Sequence, residues 1–377
     1  MKELLKNRDI LDKDIDITRK KYVLSFLAHL QAISTLSSLR REYLRLLFLH
    51  PYAKESKDAE THLWMQTSYS IISNYKQRIS ALDRQIFGPP RQAQQQQQQR
   101  QPAPQRNVVE YRKLLQRFRQ FLAEEEKFWT QLIVRLQRNF AIESAQPALQ
   151  ALGFLTEQEP PPQDPNSPRR NQFQFPPESD EVLSDLLPAN TSQRESRLAI
   201  FSKLLVCLGD IARYKEQYNE SGGRPRAGHE DGPPAVTPNR GGRGGRRGGA
   251  PPALPVLARM RVYDRSVRCY EQSRLLTPHD GNPSHQLAII SSYKRESFES
   301  LAHYYRALCV RQPYEPASEN MGSVLHRALE QWKGKQARGF NPDISPFETI
   351  ESPRVRVITF QEKIIILHGQ WRFGGNE

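Results

Sequence analysis

An all-helical protein is what this sequence predicts, built as an array of helical hairpins interrupted by long polar insertions. Three observations predict it. Apolar residues recur at helical spacing over long stretches, and no stretch before residue 350 alternates as a strand would. The run Leu208-Gly209-Asp210-Ile211-Ala212-Arg213-Tyr214 reads as half of a helical repeat whose other half lies beyond an insertion. Two later segments match each other at an offset of 34 residues.

The elements follow in order. Residues 17–50 carry Ile17, Lys21, Leu24 and Ala28 on one face, flanked by Tyr22, Phe26, Leu30 and Ile33. A second helix is predicted over 59–86, through Trp64, Ile71, Ile72, Tyr75 and Ile79, and Gly88-Pro89-Pro90 stops it. Residues 88–107, with the run Gln94 to Gln99, have a disordered composition. A third helix spans 108–140 on the stripe Leu114, Leu115, Phe118, Leu122, Phe128, Leu132 and Leu136. The run Glu124-Glu125-Glu126 reads as a solvated face rather than an acid–base site. Proline density predicts irregular chain over most of 141–194, with a short helix possible at Asp180 to Leu187. A helix through Leu204, Leu205, Leu208 and Tyr214 begins near Glu195 and ends near Tyr218. Residues 219–255, rich in Gly, Arg and Pro, form a disordered insertion, and helices resume at 256–277, 283–294, 296–311 and 315–333. Val355, Val357 and Thr359 alternate weakly, but Phe360 to Trp371 reads as a further helix, and the sequence ends soon after it, sooner than the fold calls for.

The 34-residue match pairs Ser266 with Ser300, Tyr270 with Tyr304, Ser273 with Ala307 and Leu276 with Val310. That period is the tetratricopeptide length. Small residues let the partner helix approach, tyrosines fill the groove between units, and Pro278 and Pro313 end the second helices. Leu287-Ala288 takes the first-helix place that Leu208-Gly209 holds in the earlier unit. Gly209 and Tyr270 are 61 residues apart against 16 for Ala288 and Tyr304, so the earlier unit carries a 45-residue insertion.

With 55 Lys and Arg against 41 Asp and Glu, the chain carries +14 and a pI of about 9.7, which favours an anionic partner. Cys207, Cys269 and Cys309 lie in apolar helical patterns with no zinc spacing and read as reduced core residues. No apolar run is long enough for a bilayer, and the charged stretch Met1 to Lys20 lacks a signal-peptide core. Phosphate-loop, HExxH and GxSxG motifs are absent, His62, His285 and His303 have no metal spacing, and no catalytic residue, metal or cofactor is expected. Trp64 and Trp129 fall at helical spacing and read as core.

Two candidate sites stand out. Arg213 beside the phenol of Tyr214 suits a phosphate, because a guanidinium offers two parallel donors. The competing reading is an ion pair with Asp210 or Glu216 on its own helix. Replacing Arg213 with Glu is expected to abolish phosphopeptide binding and spare helicity. The second is the RGG-like run with Arg240, Arg243, Arg246 and Arg247, whose arginines can contact phosphates and stack on bases. A solvated loop is the alternative.

The chain resembles the Est/Ebs/Smg family of telomerase regulators and nonsense-mediated mRNA decay adaptors. The matching blocks are His62-Leu63-Trp64 with Tyr69, Phe121-Leu122 with Phe128-Trp129, and Leu208 to Tyr214. They continue through Pro278, Gly281-Asn282-Pro283, Gln286-Leu287-Ala288, Tyr304 to Leu308 and Pro313 to Asn320. The resemblance implies a 14-3-3-like N-terminal helical region over 1–218. It implies tetratricopeptide units and the start of an Est-type nucleic-acid-binding helical region over 256–377, shorter than the fold calls for. It implies a non-catalytic adaptor, in nucleus and cytoplasm, that binds a phosphorylated decay helicase. The alternative is a telomerase-associated subunit that binds telomerase components, telomerase RNA or single-stranded telomeric DNA. Arg213 and Tyr214 match the family's phosphate-contacting pair; the family's lysine five residues after the tryptophan is Tyr69 here. Lys76, two turns further along that helix, is the expected substitute cation. Nothing after residue 322 resembles the acidic-cluster nuclease domain of some members.

Overall fold

The computed structural model describes residues 37–49, 56–87, 105–154, 173, 175–176, 190–219, 261–337 and 352–374. No strand occurs among them, and the protein is all-helical. In order, α1 covers 37–49 and α2 Ala59–Leu63, followed by a π-helical segment, Trp64–Tyr69. Next come α3 (Ser70–Phe87), α4 (Gln105–Phe140), a 3-10 turn (Glu143–Ala145) and α5 (Gln146–Ala151). The rest are α6 (Thr191–Gln217), α7 (Asp264–Leu276), α8 (Asn282–Lys294), α9 (Ser297–Leu308), α10 (Pro316–Ala337) and α11 (Pro353–Phe373). The helix expected over 17–50 is described only from residue 37. The segments predicted disordered lie mostly outside the described residues, as do Arg240, Arg243, Arg246 and Arg247.

Contacts divide the chain into two compact units, Met1–Ile71 with Pro160–Leu187, and Ile72–Glu159 with Pro188–Glu377. In the first, Leu44, Leu47 and Phe48 of α1 are buried, and Phe175 meets Phe48 edge-on at 6.2 Å. Arg40 reaches the hydroxyls of Thr67 and Ser68. The single helix expected over 59–86 is broken by the π segment, where Thr67 Oγ1 donates to Leu63 O at 2.5 Å and Ser70 Oγ to Gln66 O at 2.9 Å. Such hydroxyl back-bonding competes with the regular ladder and loosens it by one residue.

The second unit is organised around α6, which packs against α4 and α7. Every residue from Leu204 to Tyr214 is buried, as a helix enclosed by neighbours requires. On the α4 side, Phe118 is buried, stacks on Tyr75 at 5.0 Å and meets Tyr218 edge-on at 4.8 Å. Hairpin α6–α7 is followed by hairpin α8–α9, and α7 packs on α8, as the repeat predicts. The paired positions Ser266 and Ser300, Tyr270 and Tyr304, and Ser273 and Ala307 are all buried. Val206, Tyr263, Tyr270, Leu287 and Ile290 fill the seam between the hairpins, and Tyr304 and Ala307 join Met321 and Leu325 of α10 in the next core. Backbone bonds Gly281 N to Gln312 O (3.0 Å) and Gln312 N to His279 O (2.9 Å) tie the turn after α7 to the turn after α9.

Several expectations need correction. Residues 143–151 are helical, not irregular: Pro147 sits in the first turn of α5, where a proline costs no hydrogen bond, and Ala145, Ala148 and Leu149 are buried. Helix α6 begins at Thr191, capped by Asn190 Oδ1 accepting from Gln193 N at 2.8 Å, so proline density overstated the irregular stretch. Residues 261–263, expected helical, precede α7. Cys309 is exposed whereas Cys207 and Cys269 are buried. Of the three glutamates, Glu125 is buried beside Trp129 Nε1 (3.4 Å) and Glu126 is held in ion pairs, leaving Glu124 paired to Lys127 at the surface. The weakly alternating 355–359 segment belongs to α11, with Thr359 Oγ1 bonded to Val355 O at 3.1 Å.

The α6–α7 crossing sets a sharp steric limit. A Cβ on Gly209 would lie 2.4 Å from Tyr270 Cε1 and 2.8 Å from Cδ1. Alanine gains helix propensity, about 1 kcal/mol, but overpacks a buried ring that hydrogen bonding holds in place. Gly209→Ala is therefore expected to destabilise the second unit by about 1–3 kcal/mol net. Urea unfolding followed by circular dichroism measures this, and equal or higher stability would contradict the packing.

Candidate functional site

Helix α6 presents Asp210, Arg213 and Tyr214 within two turns, beside the Gly209 crossing. Spacing of three puts Asp210 and Arg213 on adjoining turns of one face. Arg213 Nη2 donates to Asp210 Oδ1 at 3.0 Å, and the Tyr270 hydroxyl of α7 donates to the same oxygen at 2.7 Å. Asp210 thus collects a guanidinium and a phenol from two helices, and of the two acids considered as ion-pair partners it is Asp210 that pairs with Arg213. Glu216 instead accepts from Val262 N at 3.0 Å.

Lys76 on α3 and Arg213 both lie against the ring of Tyr214, with Lys76 Nζ 5.0 Å and Arg213 Cζ 4.8 Å from its centroid. The structure therefore brings Arg213, Tyr214 and Lys76 together around one aromatic ring. It does so in the interior: Arg213 is 3% exposed and Tyr214 2%. Arg213 Nε and Nη1 have no hydrogen-bond partner among the described residues. Burial alone would lower the Arg213 pKa, but Tyr270, Tyr214 and Asp210 outweigh it and hold the group well above its ordinary range. Burial, then the Asp210 carboxylate, pushes the Tyr270 phenol well above its usual value. Tyr270 therefore stays a neutral donor and Arg213 stays charged across the physiological range. Tyr69, at the position of the family's lysine, lies in the π segment and packs its ring 6.1 Å from that of Trp64.

A second group of charges lies where α4, the end of α6 and the start of α7 meet. A recess of about 350 Å³ is lined by Arg119, Glu126, Ala212, Lys215, Glu216, Asn219, Val262, Arg265 and Ser266. Glu126 pairs with Lys215 through Oε2 and with Arg265 Nε through Oε1, the latter at 2.7 Å. Arg119, two turns before Glu126 on α4, donates from Nε to Tyr218 O at 2.5 Å. Sequence reasoning missed this group because its cations come from three helices. The one readable signal was the seven-residue spacing of Arg119 and Glu126. No group of His, Cys, Asp and Glu able to hold a metal occurs among the described residues, and none of their helices is long and apolar enough to cross a membrane.

These features define a helical-hairpin scaffold with a buried charge cluster and one charged recess among the described residues. The chain belongs to the Est1 family: residues 58–219 match the telomerase activating protein Est1 family and residues 266–373 the Est1 DNA/RNA binding domain. It is similar to the nonsense-mediated mRNA decay factor SMG7 of Arabidopsis thaliana, 24% identical over 286 residues, or 76% of this chain and 20% of that protein. A segment of 61 residues is 36% identical to SMG7 of Danio rerio, 16% of this chain and 5% of that protein. Another of 126 residues is 22% identical to telomerase-binding protein EST1A of Danio rerio, 33% of this chain and 6% of that protein. The chain thus spans a fifth or less of the length of these relatives.

The burial of Arg213 revises the expected outcome of its replacement by Glu. A glutamate there would face Asp210 in a water-poor site and strand Asp210 without its cation. Removing one partner of a buried pair typically costs about 3–5 kcal/mol. Arg213→Glu is therefore expected to lower thermal stability and helicity along with any binding. Unchanged melting by circular dichroism would show that the side chain reaches solvent.

Proposed function

We propose that this chain is a non-catalytic adaptor that binds a phosphorylated protein through the Arg213, Tyr214 and Lys76 cluster. One observation carries the reading: two guanidinium nitrogens of Arg213 lack partners among the described residues while a second cation, Lys76, lies against the same tyrosine ring. Unsatisfied buried donors next to an extra positive charge favour an anionic acceptor with several oxygens. The similarity to decay factors supports a role in mRNA decay, and the family resemblance supports a phosphorylated helicase as the partner, with work in nucleus and cytoplasm. Because Arg213 is so enclosed, the reading requires the anion to arrive from the Lys76 side. Lys76 is partly exposed, so its replacement tests the site without opening the core. Lys76→Glu is expected to weaken a serine-phosphorylated peptide about tenfold, the worth of one charge-assisted contact, with the melting temperature nearly unchanged. Fluorescence titration reads this, and wild-type affinity in the variant would refute the cluster.

A second reading, a telomerase-associated subunit binding RNA or single-stranded DNA, is favoured by the match to the Est1 DNA/RNA binding domain. The run with Arg240, Arg243, Arg246 and Arg247, outside the described residues, supplies the chemistry for it. Its flanks are held to the scaffold: Arg261 Nη1 donates to Gln217 O, and Val262 N to Glu216 Oε1. Deleting residues 222–258 is expected to lower affinity for a single-stranded RNA several-fold and flatten its salt dependence, with thermal stability preserved. Equal filter-binding curves with and without the segment would refute the role.

A further inference from the structure

We propose that the recess between α4, α6 and α7 is a binding site for a phosphate monoester carried on a protein side chain, separate from the Arg213 cluster. Arg119, Lys215 and Arg265 bring three cations to its wall against two carboxylates, Glu126 and Glu216. Glu216 is turned towards the Val262 amide. Glu126 alone bridges Lys215 and Arg265, one oxygen to each. That carboxylate occupies the place of a bound anion and holds the two cations spread across the opening. The Lys215 and Arg265 side chains remain 40% and 46% exposed, so an incoming ligand can reach them.

The internal repeat marks a further donor. Ser300 Oγ, in the second unit, donates to Ala288 O at 3.0 Å and meets Ser292 Oγ at 2.7 Å. Its counterpart Ser266, likewise buried, lines the recess with its hydroxyl lacking any partner among the described residues. A hydroxyl denied both water and a partner is costly, and a ligand oxygen would satisfy it.

The chemistry selects among anions. To take Lys215 and Arg265 from Glu126, a ligand must offer more than the carboxylate already there. A phosphate monoester does, with nearly two charges and three acceptor oxygens. A second carboxylate, or the single charge of a phosphodiester, does not. The volume suits one modified side chain, whereas a nucleic-acid backbone needs an open groove.

The test uses the full chain and the probe acetyl-Gly-Gly-phosphoserine-Gly-Gly-amide, followed by calorimetry. All measurements are made in the Lys76→Glu background, which weakens the other proposed site about tenfold, so that further changes at Lys215, Arg265 and Glu126 report on the recess and the two readings stay separable. Binding is expected to persist there, to weaken about tenfold or more in Lys215→Ala/Arg265→Ala, and to tighten several-fold in Glu126→Gln, because the competing carboxylate is gone. The same peptide with Glu for phosphoserine, and a twelve-residue oligouridylate, should bind far more weakly. Should the double variant fail to fold, Glu126→Gln decides alone. A merely structural ion-pair network would show no tightening in Glu126→Gln. That result, wild-type affinity in the folded double variant, or equal binding of the oligouridylate, would overturn the proposal.

Discussion

The close crossing of α6 and α7 at Gly209 is the constraint on which the second unit rests. Without a side chain at that position, the Tyr270 ring can lie against the α6 backbone, and its hydroxyl then reaches Asp210 one residue on. Steric and polar complementarity reinforce each other. The missing Cβ sets the interhelical distance, and the shared oxygen of Asp210 sets the rotation, because Arg213 and Tyr270 must meet it together. The same helix carries α4 on its other side, so a shift at the crossing would also disturb the aromatic contact of Tyr218 with Phe118.

Depth sorts the cations of α6 into two chemical types. Arg213 is enclosed, its charge matched by Asp210 and bounded by tyrosines. Lys215, two residues on, emerges to share Glu126 with Arg265. The first kind of pair lies within α6 itself, so it joins helices only through the Tyr270 hydroxyl that shares Asp210, and desolvation offsets most of its own attraction. A half-exposed network of the second kind is inexpensive to rearrange, because water replaces whatever contact is given up. The adjacent glutamates of α4 divide the same way, Glu125 facing inward to Trp129 and Glu126 outward to the recess.

The array of hairpins was legible in the sequence because its determinants are local or periodic. Small residues at 266 and 300 and tyrosines at 270 and 304 stand where packing permits little else, and the match at that offset survives any change of surface. Lys76 was expected from helix geometry alone, two turns beyond Tyr69, and its ammonium lies against the Tyr214 ring, as the Arg213 guanidinium does. Depth was not legible. Position along a helix assigns a residue to a face, but whether that face meets solvent depends on a neighbour distant in sequence, such as Tyr270 against Asp210. The π segment at Trp64–Tyr69 and the helix Gln146–Ala151 were missed for a related reason: hydroxyl back-bonding and a proline in a first turn leave the apolar pattern unchanged or even argue against a helix.

The position of the long insertion follows from the same packing. Helices α6 and α7 are fastened at the points where the chain leaves and re-enters, by Arg261 to the Gln217 carbonyl and by the Val262 amide to Glu216. The crossing at Gly209 and the serine contacts Ser202 to Ser273 and Thr277, at 2.7 and 2.6 Å, fasten them further down. A hairpin held by its own side chains does not depend on a short connection, and the entropy of closing a longer one grows only logarithmically with its length. Residues 220–260 could therefore diverge into a Gly- and Arg-rich sequence without loosening the hairpin. Asn219 before that segment and Val262 after it both line the charged recess, so the points where the chain leaves and re-enters the hairpin border the half-exposed cations Lys215 and Arg265.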